Sequence, residues 1–268
     1  MPPPLVSIVT PSFNQVKYIE HTVLSVLNQD YPNIEYIIFD GGSTDGSIDV
    51  IKKYADKLTY WVSEADKGQS DAINKGWRMA KGDILFYLNS DDLLYDNQVV
   101  SKIVAAYKLN PKAAVFYGDC QIIDSKGNNV KFKKAQPCNT NMLLKTNEFA
   151  SILYQTSSFF NGKYLREINY LQTNLHYCMD YELIVSLSEK GEMVYLPVTV
   201  ASFRVHGESK SHLGNVPMMN EMLQIKFKHH FWHGIQYLWT YLKFRFFLVL
   251  PMKLKKALKP ELYERYFS

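Results

Sequence analysis

Residues 89–92, Asn-Ser-Asp-Asp, follow directly on the apolar run Ile84–Leu88. At ~4 Å and an effective dielectric of ~20, two adjacent carboxylates repel by roughly 4 kcal/mol. A solvated turn or a divalent cation offsets that cost. Hard cations such as Mg2+ or Mn2+ take carboxylate oxygens and complete their shells with phosphate oxygens and water. A second acidic cluster, DGGSTDGS from Asp40, ends the apolar run Ile34–Phe39. Its glycines suit a phosphate, but Asp40 and Asp45 repel one unless a metal intervenes, and the same residues also make an ordinary turn before a helix. A third carboxylate, Asp180, opens the amphipathic stretch 179–190. It stands three residues before Leu183 and four before Ile184, on the side that faces a core. There it is either an N-terminal cap or a working group.

These groups need a scaffold, and the first hundred residues supply one. Period-two runs at Leu5–Thr10, Ile34–Phe39, Leu58–Val62 and Ile84–Leu88 read as strands. Helical spacing over Val16–Asn28, Ser47–Tyr54, Ser70–Ala80 and Gln98–Leu109 separates them, with Ser70 as an N-cap. Such alternation predicts βαβ units and a parallel sheet. In an open parallel sheet, ligands bind beyond the carboxyl ends of the strands. The ends here deliver Thr10–Asn14, Asp40, Glu64 with Asp66, and Asn89–Asp92 to one edge. The second half is mixed. Ala114–Tyr117 reads as a strand, SKGNN as a hairpin turn between Gln121–Ile123 and Val130–Phe132, and Val194–Phe203 as extended segments around Pro197. There is no internal repeat.

Several classes are excluded. No G-x-G-x-x-G follows the first strand and no G-x-x-x-x-G-K-[ST] loop occurs, which argues against dinucleotide and P-loop sites. The composition of the 268 residues, 47% hydrophobic and 21% charged, suits a globular protein with a substantial core. The N-terminal residues lack a basic region and a long apolar stretch, and three widely spaced cysteines suit reduced thiols, so a cytoplasmic protein is expected. The net charge of +4 conceals an asymmetry: residues 221–268 hold nine Lys/Arg and three Glu, 9 − 3 = +6, which leaves 4 − 6 = −2 for the rest.

The motifs SIVTPSFN, IIFDGGSTDGS and GQSDAINKGWRMAKGDILFYLNSDD, in this order and spacing, resemble the nucleotide-sugar-binding half of family 2 glycosyltransferases. The resemblance covers roughly residues 5–210. It implies the GT-A fold, an αβα sandwich with a Rossmann-like, mostly parallel sheet, here followed by C-terminal helices. Residues 1–115 are then the nucleotide-sugar half, 116–212 the acceptor half of the same domain, and 213–268 a basic, aromatic helical segment. The resemblance further implies roles by position. Asp40 matches the acid that meets the base or ribose, and the turn with Thr10, Pro11 and Phe13 lines the nucleoside. Asp71 and Asn74 lie where the family has a helix facing the donor. Residues 89–92 match the D-x-D region, with Asn89 at its first position, so Asp91 and Asp92 jointly are the expected metal ligands for Mn2+ or Mg2+. HYCMDYELIVSLSEKG resembles the family segment that carries the catalytic base, with Asp180 at its position and Glu182 as the runner-up. RVHGESKS, residues 204–211, resembles a loop near the donor diphosphate, where His206 meets phosphate or metal, or is simply structural, and Arg204 is a phosphate clamp or a solvated cation.

The implied reaction moves a sugar, with inversion, from a nucleoside diphosphate (UDP by default) to a hydroxyl of a glycan or lipid-linked glycan in surface polysaccharide synthesis. The departing diphosphate needs a cation, and the attacking hydroxyl needs a base. Two rivals stand beside it. A nucleotidyltransferase is expected to carry a Gly- and Lys/Arg-rich loop after its first strand, where this chain has TPSFNQ, and a non-catalytic nucleotide-sugar-binding module is expected to lack an acid that is present here. In residues 226–256, aromatics and leucines interleave with Lys, Arg and His. They read as interfacial helices making peripheral contact at the inner face of a membrane, anchored by Trp232, Trp239, Phe246 and Phe247, or as helices packed on the body. Nucleic acid is not an expected partner, since the basic cluster is too apolar and the strand-end edge is acidic.

Overall fold

The computed structural model describes residues 2–147, 149–207 and 216–249. The chain divides into two compact units, Met1–Leu213 and Gly214–Ser268.

The first unit begins with β1 (Val6–Ser12), α1 (Ile19–Leu27), β2 (Ile34–Asp40), α2 (Ser47–Lys53), β3 (Tyr60–Ser63), α3 (Gln69–Met79) and β4 (Ile84–Tyr87). These strands pair in parallel in the order β3-β2-β1-β4. Every residue of β1 is buried, as expected of a central parallel strand with both faces covered. On one face Val6 and Ile8 pack with Ile19 and Val23 of α1 and Ile51 of α2. On the other face α3 crosses β1 very closely. A Cβ placed on Gly76 would stand 2.5 Å from Cγ1 of Val9, so only glycine fits there. Trp77, fully buried, then stands edge-on to Tyr87 and Phe160.

Beyond β4 come β5 (Leu93–Leu94), α4 (Val99–Leu109), β6 (Val115–Ile123), β7 (Asn129–Lys133), α5 (Thr140–Lys145), β8 (Ser158–Asn161), α6 (Gly162–Glu167), α7 (Met179–Ser188) and β9 (Met193–Arg204). They extend the same sheet to the order β3-β2-β1-β4-β8-β6-β9-β5, with β7 paired to β6. β8 is antiparallel to both β4 and β6, while β6 and β9 run parallel. Phe159 of β8 stacks on Phe86 of β4 with centroids 4.0 Å apart, carrying the core across the change of direction. Burying each such ring contributes roughly 2–3 kcal/mol.

Three local expectations need correction. The apolar pieces at 114–117 and 121–123 belong to one strand, because β6 keeps pairing with β9 through Asp119, opposite Thr199, while extra residues of β9 take up the register shifts between Tyr117 and Cys120. The Asp119 carboxylate is buried there and accepts the amide of Ala135 and the hydroxyl of Tyr195. Residues 193–204 likewise form one strand, and the exposed Pro197 falls where the β6 pairing skips from Tyr195 to Thr199, a bulge that tolerates its missing N–H. Finally, α3 starts at Gln69, capped by Gly68 at φ 104°, so Ser70 lies inside the first turn.

The second unit holds α8 (Val216–His229) and α9 (Phe231–Val249). In it Lys226 is 1% exposed, with Nζ 5.0 Å from the centre of the Tyr237 ring. Burial lowers its amine to about 8. Trp232, Trp239 and Phe246 are exposed. The side chain of Phe247 and residues 250–256 lie outside the described residues, as do 208–211 of the RVHGESKS loop. No helix among the described residues is long and apolar enough to cross a membrane.

Candidate active site

The strand ends build the site in three parts. The first is the loop pair after β1 and β2. Asn14, at φ 51°, accepts the Thr44 amide on its side chain and donates its own amide to Ser43, and the Asp45 carboxylate accepts the Val16 amide. Partial burial pushes the Asp45 carboxyl up, but the Ser47 hydroxyl and the Val16 and Ser47 amides outweigh it and hold it below its ordinary value. Asp40 is 1% exposed and accepts the amides of Gly42 and Ser43 and the hydroxyls of Ser43 and Ser63. It shapes the loop from beneath. Thr10 and Pro11 are also buried, with Thr10 Oγ1 bonded to the Tyr36 hydroxyl. Phe13, by contrast, is 60% exposed, a free aromatic face at the end of β1. Asp66 stands beside it: a Cβ on Gly41 would lie 2.6 Å from Asp66 Oδ2 and 3.3 Å from Phe13 Cδ2. Whereas Asp40 is buried, Asp66 is half-buried and lies beside Phe13. Its position at the end of the third strand was the available signal.

The second part is the acid turn after β4. Asp92 is 1% exposed, and its two oxygens accept the Arg204 amide (2.8 Å), the Thr156 hydroxyl (3.0 Å) and the Asn89 side-chain amide (3.3 Å). Burial first, then the charge of Asp91, raises its carboxyl well above the usual carboxylate range, and those hydrogen bonds pull against the rise. Asp91 is more open, and its Oδ2 lies 2.9 Å from His206 Nε2. Arg204, only 2% exposed, points no fork at solvent. Its Nε donates to the Asp91 carbonyl and its Nη1 to the Asp124 carbonyl, and its guanidinium lies 4.9 Å over the Tyr18 ring. The expected phosphate clamp is therefore a brace between two turns. Tyr18 also packs against the His206 ring at 5.0 Å.

The third part joins α3 to α7. Gln69 donates to Asn89 Oδ1 at 2.7 Å, which ties the start of α3 to the acid turn. The Ser70 hydroxyl meets the Met179 sulfur at 2.7 Å, which ties it to the start of α7. Asp180 follows, half-buried in the first turn of α7. Burial raises the phenol of Tyr87 at the end of β4, and the charges of Asp180 and Asp92 raise it further. Glu182 is 1% exposed and accepts Gln172 and Ser186, out of reach of a substrate. Asp71 accepts the Lys67 amide and pairs with Lys75 at 3.4 Å, while Lys75 also reaches Glu64. Asn74 does not line the cleft. It is 1% exposed and exchanges both hydrogen bonds with the backbone of Leu171.

Phe13 with Asp66 and Asp91 with His206 thus follow strand ends, Asp180 opens α7, and Thr10, Asp40, Asn74, Asp92 and Arg204 are buried. Among the described residues no group of three or more His, Cys, Asp or Glu is arranged for a metal ion.

The profile described as glycosyl transferase family 2 matches residues 7–181, which include the acid turn and Asp180. The chain belongs to glycosyl transferase family 2. Curated relatives of this family 2 chain include an uncharacterized glycosyltransferase of Rickettsia felis, 28% identical over 213 residues, 78% of this chain and 35% of that protein. One from Haemophilus influenzae is 34% identical over 131 residues, 48% of this chain and 52% of that protein. The family 2 chain here therefore spans about a third to a half of the length of these relatives. Among solved structures, S. aureus TarS in complex with UDP-GlcNAc matches with a TM-score of 0.70 at 17% identity, covering 97% of this chain and 77% of that chain. A mannosyltransferase from Pyrobaculum calidifontis in complex with GDP-Man and Mn2+ matches with a TM-score of 0.64 at 19% identity, covering 88% and 70%. At these identities the likeness establishes the GT-A fold expected from the sequence.

Proposed function

We propose that the protein transfers a sugar, with inversion, from a nucleoside diphosphate to an acceptor hydroxyl. One observation carries this reading: Asp91, 2.9 Å from His206, follows β4 as the exposed Phe13 follows its parallel neighbour β1, with Asp180 half-buried at the start of α7. Phe13 offers its face to the base, with Asp66 beside it. UDP is the preferred nucleotide, supported by the UDP-GlcNAc complex of TarS, and GDP is the alternative suggested by the mannosyltransferase.

A carboxylate and an imidazole fit Mn2+ or Mg2+, with diphosphate oxygens and water as the remaining ligands. We assign the ion to Asp91 and His206 and leave Asp92 beneath as their support, because its oxygens are already occupied. Bound there, the cation would offset the charge gathering on the departing diphosphate. Asp180 accepts the proton of the acceptor hydroxyl as its oxygen bonds to the anomeric carbon. A single displacement needs no nucleophilic side chain. Asp71 holds the entrance to α3 through the Lys67 amide.

The acceptor in this reading is a glycan or lipid-linked glycan of a surface polysaccharide. Exposed Trp232, Trp239 and Phe246, with the basic residues around them, support peripheral contact with an anionic membrane on the cytoplasmic side. Flotation with anionic vesicles, with and without residues 221–268, tests that contact, and equal flotation of both would remove it.

The decisive experiment incubates the purified protein with a panel of sugar nucleotides and Mn2+ and measures nucleoside diphosphate release. Release from one donor, lost in Asp180→Asn, is expected. Release of pyrophosphate instead would make the protein a nucleotidyltransferase, and binding without turnover would make it a binding module.

A further inference from the structure

Charge is distributed unevenly around this site. The strand-end edge is acidic, but residues 125–147 contain lysines at 126, 131, 133, 134 and 145 and no Asp or Glu. Lys126, Lys131 and Lys134 are exposed and Lys133 is half-buried. None of these forms an ion pair with a described residue. Unpaired like charges held close together repel one another, so their grouping on a folded surface suits a partner that supplies the opposite sign.

The lysines have a defined place. Lys126 is at the turn of the β6–β7 ribbon, where the Asp124 carboxylate accepts the amides of Lys126 and Asn128. Lys131 and Lys133 follow on β7, on the same face of the strand and about 7 Å apart. The turn is joined to the site by a single guanidinium, since Arg204 donates to both the Asp91 and the Asp124 carbonyls. The ribbon therefore leads away from the acid turn as a basic track. β7 is the outer strand there, paired only with β6 among the described residues. Lysines on an edge strand also discourage strand-to-strand aggregation. That role asks for one or two charges and explains neither the lysine at the turn nor the absence of any acid over the whole segment.

We propose that the acceptor is an acidic polymer, bearing phosphate or carboxylate groups, that lies along the β6–β7 ribbon against Lys126, Lys131 and Lys133. The proposal rests on the glycosyl-transfer reading for its purpose, and it names the chemistry of the acceptor. The track offsets the repulsion that such a chain meets from the acidic edge and holds it while one of its hydroxyls enters. An anionic lipid surface is the competing partner. An anionic lipid binds the basic C-terminal stretch through that stretch's own charge, whereas a polymer track needs the ribbon.

The test uses the full chain with linear inorganic polyphosphate as the acidic probe, neutral dextran as control, and vesicles containing an anionic lipid as the third arm. Binding is measured at low salt for the wild type, for Lys126→Glu/Lys131→Glu/Lys133→Glu, and for Lys253→Glu/Lys255→Glu/Lys256→Glu in the C-terminal stretch. The ribbon variant should weaken polyphosphate binding by about 10-fold or more. The C-terminal variant should change it less than about 2-fold, by the same charge reasoning. None of these proteins should bind dextran. Lys126→Ser/Lys131→Ser/Lys133→Ser, expected to fall between wild type and charge reversal, covers the case in which three glutamates unfold the ribbon. Unchanged polyphosphate binding by the ribbon variants, or a loss confined to the C-terminal variant, overturns the proposal. So does a ribbon variant that loses vesicle binding while keeping polyphosphate. UDP titration with Mn2+ on the same proteins separates the two readings: failure of UDP to bind any of them counts against the donor site and leaves the ribbon result standing.

Discussion

His206 Nε2 and Asp91 Oδ2 lie 2.9 Å apart, although 115 residues separate them in sequence. The pair is held from two sides, by Tyr18 against the imidazole and by Arg204 on the Asp91 carbonyl. If the pair holds the cation, Asp91→Asn and His206→Ala should each weaken Mn2+-dependent UDP binding by about 10-fold or more, with a smaller effect on metal-free binding. Calorimetric titration of UDP with Mn2+ and with EDTA reads both. Equal binding in EDTA by the wild type would exclude the metal role.

Asp92→Asn should behave differently from Asp91→Asn. The buried carboxyl already disfavours its charge, and an amide can keep the Arg204 contact. Stability within about 1 kcal/mol of wild type and retained Mn2+-dependent UDP binding are expected. Loss of metal response at normal stability would return Asp92 to the ligand set.

Asp180→Asn should keep donor binding and lower turnover by ~10²-fold or more. Glu182→Gln should instead act on stability, since its oxygen accepts Gln172 and Ser186 in a buried site. Comparing kcat with melting temperature in the two variants distinguishes the roles, and full turnover in Asp180→Asn would remove it as base.

Gly76→Ala should destabilise the first unit by about 1–3 kcal/mol, because the added methyl overlaps the stiff, buried Val9. Adding Val9→Ala should restore part of the loss. Additive costs in the double variant, measured by urea unfolding, would mean that the helix shifts outward instead.

Cys120 supplies a pH dependence. Burial pushes its thiol up to about 12 from an ordinary 9.0. Between those values the unfolded chain loses this proton while the folded chain keeps it, so stability falls as pH rises. The loss from this group should reach about 1 kcal/mol at pH 10. Cys120→Ala should show a correspondingly flatter profile in urea unfolding from pH 8 to 10, and native Cys120 should resist iodoacetamide at pH 8. Parallel profiles for the two proteins would rule the effect out.

The edge proposed for the chemistry was readable because parallel strands announce themselves by apolar runs and deliver whatever follows them to one side. Phe13 and Asp91 were singled out in that way, whereas Asp180, at the start of a helix, came from the family resemblance and its helical spacing. The division between working and supporting residues was not readable. Whether Asn74 faces a ligand or Leu171, and whether Arg204 reaches a phosphate or two carbonyls, depends on partners about a hundred residues away. β8 was missed for a related reason: Ser158–Asn161 is short and buried on both faces, so it has no alternation to show.

The Arg204 brace bears on how such a protein can be re-engineered. Donor and acceptor specificities invite exchange by recombining segments of related enzymes near residue 115. Here the last residue of β9 grips Asp91, Asp92 and Asp124 at once, so a chimaera with that crossover would inherit an arginine from one parent and its three anchoring points from both. A crossover that moves 89–92 together with 123–124 and 204–206 keeps this cluster from a single parent.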